Sequence, residues 1–259
     1  MNRSPLTFFL LVFALTIPVW LIGGVPLPGP SNFPLTLSVL IQPFVPLIAA
    51  SILVHRGEGL GGVRGLLKRA FDYSRVRNKA WYVPIIFLVP FIYLLTYGIM
   101  ALAGLPSSGA HTPLLAIPIL LAAFFILGMG EELGWMGYAA DPLQERRSAL
   151  TTSIILGLVW AIWHFVPLIQ MGRTLTWIAW WTLSTVALRI LIVWLYNNTG
   201  KSVFAAIVFH ATSNLSLPEF PMDYDHASVQ FTLGTITAMA AMIVTFLWGP
   251  RTLARFRYA

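Results

Sequence analysis

Apolar runs of roughly twenty residues follow one another along almost the whole chain, parted by short polar connections. They cover approximately Thr7–Leu27, Pro34–Val54, Trp81–Gly104, Leu114–Gly130, Ala149–Ile169, Thr174–Tyr196, Lys201–Leu217 and Gln230–Trp248. A hydrocarbon core about 30 Å thick takes roughly 20 helical residues to cross. In lipid only helices and closed barrels satisfy the backbone. The pattern therefore predicts an all-α polytopic membrane protein with about eight transmembrane helices, the fourth and seventh on the short side. The first run is longer than the apolar part of a secretory signal and no small-x-small cleavage site follows it, so it reads as a retained helix. No linker separates a second domain: 1–259 reads as one transmembrane bundle.

Composition agrees. Of 259 residues, 58% are hydrophobic and 10% charged, against about 25% charged in a soluble domain. That is too few to cover a soluble surface, so the chain is expected in the cell membrane as a multi-pass protein, with the lipid bilayer as a partner. Cysteine is absent, which excludes disulfides, thiolate metal sites and a Cys nucleophile. The net charge of +7 does not form the soluble basic face that nucleic-acid binding needs; no nucleic-acid partner is expected.

The charges instead orient the bundle. With the N-terminus and Arg3 in the cytoplasm, every Lys and Arg except Arg173 and Arg189 falls in a loop or tail on that side. The opposite loop after the seventh run carries Glu219, Asp223 and Asp225. An N-in, C-in arrangement satisfies the positive-inside rule. The longest polar stretch, His55 to Ala80, contains "GLLKRAF", which reads equally as a short interfacial amphipathic helix or as a solvated basic loop.

Polar chemistry at membrane depth is sparse. Glu131 and Glu132, the one adjacent acidic pair, end the fourth run in "GMGEELGWMGY"; His164 lies in "VWAIWHFVP", His210 and Asn214 in "VFHATSNLS", and Arg189 inside the sixth run. Ionisable residues inside a membrane are costly and mark function by default. His210 and Asn214, at i and i+4, share a helix face. Each group also has a plainer reading: His210 and Asn214 as interhelical glue, His164 as a donor to a backbone carbonyl, Trp160 and Trp163 as packing, the glutamates as a solvated helix end. Adjacent glutamates point about 100° apart, so one can face a cavity while the other pairs with a cation. Taken together the groups suit hydrolysis. A carboxylate beside an imidazole can take a proton from water, and a second imidazole with an amide can donate to an oxyanion. Glu131, His164 and His210 are also compatible with a divalent metal such as zinc.

These segments resemble the CAAX-protease and bacteriocin-processing (CPBP, or Abi) family of intramembrane endopeptidases. The family pattern is Glu-Glu-x-x-x-Arg, aromatic-x-x-x-His and His-x-x-x-Asn on successive core helices. Here it reads "EELGWM" from Glu131, "WAIWH" from Trp160 to His164 and "HATSN" from His210 to Asn214. The resemblance covers roughly 114–217, the catalytic core region. It implies Glu131 as the base that activates water, assisted by His164, with His210 and Asn214 stabilising the oxyanion and Glu132 in support. It implies a protein or peptide substrate, membrane-anchored and prenylated in eukaryotic members, and water activated either by Glu and His alone or with a bound divalent ion. One position departs: Met136 stands where the pattern has Arg, and Arg146, Arg147 and Arg189 are the candidate replacements. Two other readings compete: a non-catalytic relative serving as a membrane scaffold or chaperone, and a small transporter. The second is disfavoured because the first three runs carry almost no polar groups at depth.

Overall fold

The structure is a computed structural model and describes residues 3–23, 37–105, 112–220 and 222–254. Ten α-helices follow in chain order: α1 (Pro5–Ile22), α2 (Leu37–Ile41), α3 (Val45–Lys68), α4 (Tyr82–Leu102), α5 (Ile117–Gly134), α6 (Asp141–Gln144), α7 (Ala149–Gln170), α8 (Leu175–Asn198), α9 (Val203–Glu219) and α10 (Ala227–Trp248). Seven helical spans among the described residues are long and apolar enough to cross a membrane. The remaining predicted run, the seventh, is α9, of 17 residues, or about 26 Å at 1.5 Å per residue. It lies among other helices rather than in lipid: His210, Phe209, Ala206 and Ile207 are all buried. The fold is that of an all-α, multi-pass membrane protein.

Where the apolar runs predicted boundaries, two are displaced. The second run is not one straight helix. α2 gives way at Gln42–Phe44 to a 3₁₀ turn before α3 begins, because Pro43 and Pro46 remove backbone donors in succession. α3 then continues through most of the segment that the sequence left as a polar connection, bending at Gly59, whose φ of 65° is left-handed. "GLLKRAF" is helical, with Leu66 and Ala70 buried and Leu67 and Phe71 exposed. The fourth run does not end at Gly130 either. Helix continues past both glutamates, through a π-helical stretch at Trp135–Ala140, into α6. The carboxylates do not terminate it because they find partners inside the bundle.

α5 packs on α3 and α9; α9 also packs on α4; α7 packs on α8 and α8 on α10; α1 lies on α3. Small residues set the closest approaches. A Cβ at Gly130 would lie 2.6 Å from the Pro43 carbonyl oxygen, and one at Gly134 would lie 2.6 Å from Pro46 Cβ. Gly130 and Gly134 are thus a small-xxx-small seam that lets α5 touch the α2–α3 corner. Gly157 does the same for α7 on α8, since a Cβ there would sit 2.9 Å from Val186 Cα.

The basic connections meet at one end of the bundle. Arg69 donates to the Gly137 carbonyl, the Tyr196 hydroxyl and the Lys201 carbonyl at 2.9, 2.8 and 3.0 Å. Arg3 reaches the same Gly137 carbonyl and pairs with Glu58. Asn197 and Asn198 hold the Thr252 and Leu253 carbonyls. The first and last described segments therefore lie at the same end. Asp72 completes it: its carboxylate accepts from Ser202 Oγ and the Phe204 N–H at 2.7 and 3.1 Å, placing negative charge on the N-terminus of α9, where the helix dipole favours it. The sequence-based assignments for Arg255 and Arg257 fall outside the described residues. At the other end Arg173 pairs with Asp225.

Candidate active site

The π-helical continuation of α5 puts Glu131 and Glu132 inside a helix, and both are buried. π-helical turns are rare and are found mostly at functional sites. The two carboxylates diverge as adjacent helical positions must. Glu131 Oε2 accepts from Trp160 Nε1 on α7 at 2.5 Å; its Oε1 has no hydrogen-bond partner among the described residues. Glu132 turns to α8 and α9. Arg189 Nη1 lies 3.0 and 2.7 Å from its two oxygens, and His210 Nδ1 lies 2.8 Å from Oε1. Glu132 and Arg189 are both wholly inaccessible to solvent. An ion pair at that depth leaves neither charge alone, which would be far costlier.

Trp160 is the hub of the arrangement. Besides holding Glu131, its indole carries the Arg189 guanidinium on its face at 4.4 Å from the ring centroid. It meets both imidazoles edge-on, His210 at 5.3 Å and His164 at 5.5 Å. A cation desolvated over Trp is held by the ring quadrupole. His164 Nδ1 lies 2.8 Å from the Trp160 carbonyl. A carbonyl only accepts, so Nδ1 carries the proton and Nε2 is the free edge. His210 has the same orientation, since its Nδ1 faces a carboxylate. Trp163 and Trp181 close around His164 at 4.8 and 5.5 Å, and Trp163 is anchored by its Nε1 to Thr16 at 2.7 Å and by its carbonyl to Gln42 at 3.2 Å.

Glu131, His164 and His210 thus come together around one indole, and Glu132 joins them through Arg189 and His210. The carbonyl-bonded His164 of the plain reading is present, and it is also what aims the other nitrogen. Asn214 shares the His210 face of α9 but is only half-buried and makes no hydrogen bond among the described residues. Of the candidate cations, Arg189 is the one at the glutamates; it was legible as the single basic residue inside an apolar run. Met136 is fully buried and carries no charge to the site. Trp160, the aromatic residue of the aromatic-x-x-x-His motif, is the common contact of the cluster. The expected metal set Glu131, His164 and His210 is not assembled as one. Among the described residues no three His, Cys, Asp or Glu side chains are grouped to hold an ion, and each of these three has Nδ1 or Oε2 committed to a protein partner. A cavity of about 610 Å³ elsewhere, at the basic end, is lined by Arg3, Glu58, Arg69, Arg75, Asp141 and Lys201 and includes none of the cluster.

Carboxylates and imidazoles buried inside a polytopic helical bundle mark a functional site by default. Comparison with known proteins narrows this. Residues 113–216 match the family model of Rce1-like type II CAAX prenyl endopeptidases. It is 27% identical over 270 residues to a CAAX prenyl protease 2 of Methanococcus maripaludis, covering 94% of each chain. These likenesses support an intramembrane endopeptidase activity.

Proposed function

We propose that this protein cleaves a peptide bond near the C-terminus of a prenylated, membrane-held CAAX substrate, using water activated by Glu131. The observation that carries the reading is the gathering of Glu131, His164 and His210 around Trp160. The family description and the relative's name supply the substrate class. Glu131 Oε1 takes a proton from water as its oxygen bonds to the scissile carbonyl carbon. The free Nε2 of His164 steadies the water. The tetrahedral oxyanion is met by Asn214 Nδ2 and by His210 Nε2. A donation from Nε2 requires the doubly protonated ring, with Glu132 as its counter-ion. Collapse breaks the C–N bond, and the proton held on Glu131 passes to the leaving amine. A divalent ion, if one binds, would act as Lewis acid for the same carbonyl; no step above depends on it. The site faces the basic end of the bundle, which we assign to the cytoplasm with both termini.

Arg189 beside Glu132 removes the main motive for the scaffold reading, which rested on the missing cation at Met136. The test is cleavage of a farnesylated CAAX peptide by purified protein in proteoliposomes. The parent should cut it and Glu131→Gln should not, and a parallel series with a chelator reports on metal. Equal cleavage by the two forms removes Glu131 as the base.

A further inference from the structure

Glu132 and His210 do not explain themselves. A carboxylate wholly withdrawn from solvent needs a cation, and the helix that carries it offers none: the next positions are Leu133, Gly134, Trp135 and Met136. The cation arrives from α8. Arg189 comes close only because α7 is pared to a glycine where it passes, a Cβ at Gly157 falling 3.2 Å from Arg189 Cβ. The guanidinium is then fixed twice, by Nη1 on both Glu132 oxygens and by its face on Trp160. Its Nε and Nη2 are buried and have no hydrogen-bond partner among the described residues. Its interactions are therefore concentrated on one carboxylate and one indole.

We infer that Arg189 is a positioning residue: it locks Glu132, and through Glu132 it fixes the ring plane and proton placement of His210, so that Nε2 faces the substrate. The inference rests on the proposed endopeptidase reading for its consequence, but not for its geometry. The chain Arg189–Glu132–His210 has the logic of a carboxylate that orients an imidazole. The difference is that the carboxylate is itself held by a cation from a third helix. Arg189 touches neither substrate nor water in this scheme; it acts through Glu132. It also brings a cation to the glutamate pair from position 189, while Met136 stands at the arginine position of the motif.

Three variants and one spectroscopic readout test this. Arg189→Met should lower kcat for the farnesylated peptide at least about 10-fold, the scale on which loss of an orienting partner acts, with KM little changed. Because that variant also strands the Glu132 charge, the double variant Glu132→Gln with Arg189→Met removes both charges. It should melt within a few degrees of the parent yet turn over as slowly as Arg189→Met. Arg189→Lys keeps the charge and loses the fork, so it should fall between parent and Met. Independently of cleavage, the His210 ring signals in ¹⁵N-histidine NMR, assigned by their loss in His210→Gln, should move in Arg189→Met. Parental kcat in Arg189→Met or in the double variant overturns the inference, as does an unmoved His210 signal. If Glu131→Gln cuts as fast as the parent, the proposed reaction fails, while the NMR result still decides whether Arg189 fixes His210.

Discussion

Glu131 and Glu132 are neighbours in sequence, but their environments differ. Glu131 has one oxygen on an indole N–H and the other without a hydrogen-bond partner among the described residues; Glu132 has both oxygens on a guanidinium and one on an imidazole as well. The one with a free oxygen is fit to move protons, and the fully engaged one to hold others in place. Glu131→Gln, which keeps shape and loses basicity, should reduce peptide cleavage by about 10²-fold or more, measured as initial rate per folded protein. Asn214→Ala should reduce turnover by roughly 10²-fold if its amide donates to the oxyanion, and leave melting nearly unchanged because the side chain is half-exposed and makes no hydrogen bond within the described residues. Met136 gives a sharper case. The side chain is fully buried, and Glu132 already has its cation. Met136→Arg therefore should not improve the enzyme. It places a second charge in a core where Glu132 is already paired, a buried charge left alone costs about 3–5 kcal/mol, and the yield of folded protein in detergent should fall.

Between elements, glycine decides how near the helices come. Helices in lipid gain nothing from excluding water, so they associate through close van der Waals fit and small residues. Gly134 lies with Pro46 Cβ 2.6 Å from where its own Cβ would be. Gly134→Val should force α5 off α3 and cost about 1–3 kcal/mol, seen as a lower melting temperature. Because Glu131 and Glu132 ride on α5, cleavage should fall with it. The start of α9 is set differently. Asp72, from the connection after α3, accepts from Ser202 and from the Phe204 N–H and sits beside Arg69 and Arg75. It caps a helix from a distance. Asp72→Ala should cost about 1–2 kcal/mol, the scale of a lost N-cap, and loosen the helix that presents His210.

For the whole molecule the decisive feature is polarity. The basic connections converge on one end through Arg3, Arg69 and the α8–α9 turn, while Arg173 at the other end is matched by Asp225. Juxtamembrane Lys and Arg are retained on the cytoplasmic side. Reporter fusions after Arg69 should read cytoplasmic, and fusions after Phe220 should read the opposite side; the reverse pattern at both would invert the bundle and turn the site away from cytosolic substrates. The segment 113–216 that matches the family model is walled by α1, α3, α4 and α10 from outside it.

The sequence by itself determined that the chain is a helical membrane protein, how its apolar runs succeed one another, and which few polar residues stand at membrane depth. The reason is that hydrocarbon penalises every polar group, so a run length and an exception within it are both visible in one dimension. It also carried the three short motifs, since each is local to one helix. It could not tell that helix continues beyond Glu131, because that depends on Arg189, some sixty positions away in the chain, neutralising Glu132. Nor could it show that Trp160 is shared by Glu131, Arg189, His164 and His210, or that Gly157 makes room for the guanidinium. Those are contacts between helices. Their partners are chosen by packing and by the need to pair buried charge, and neither leaves a periodic trace along the chain.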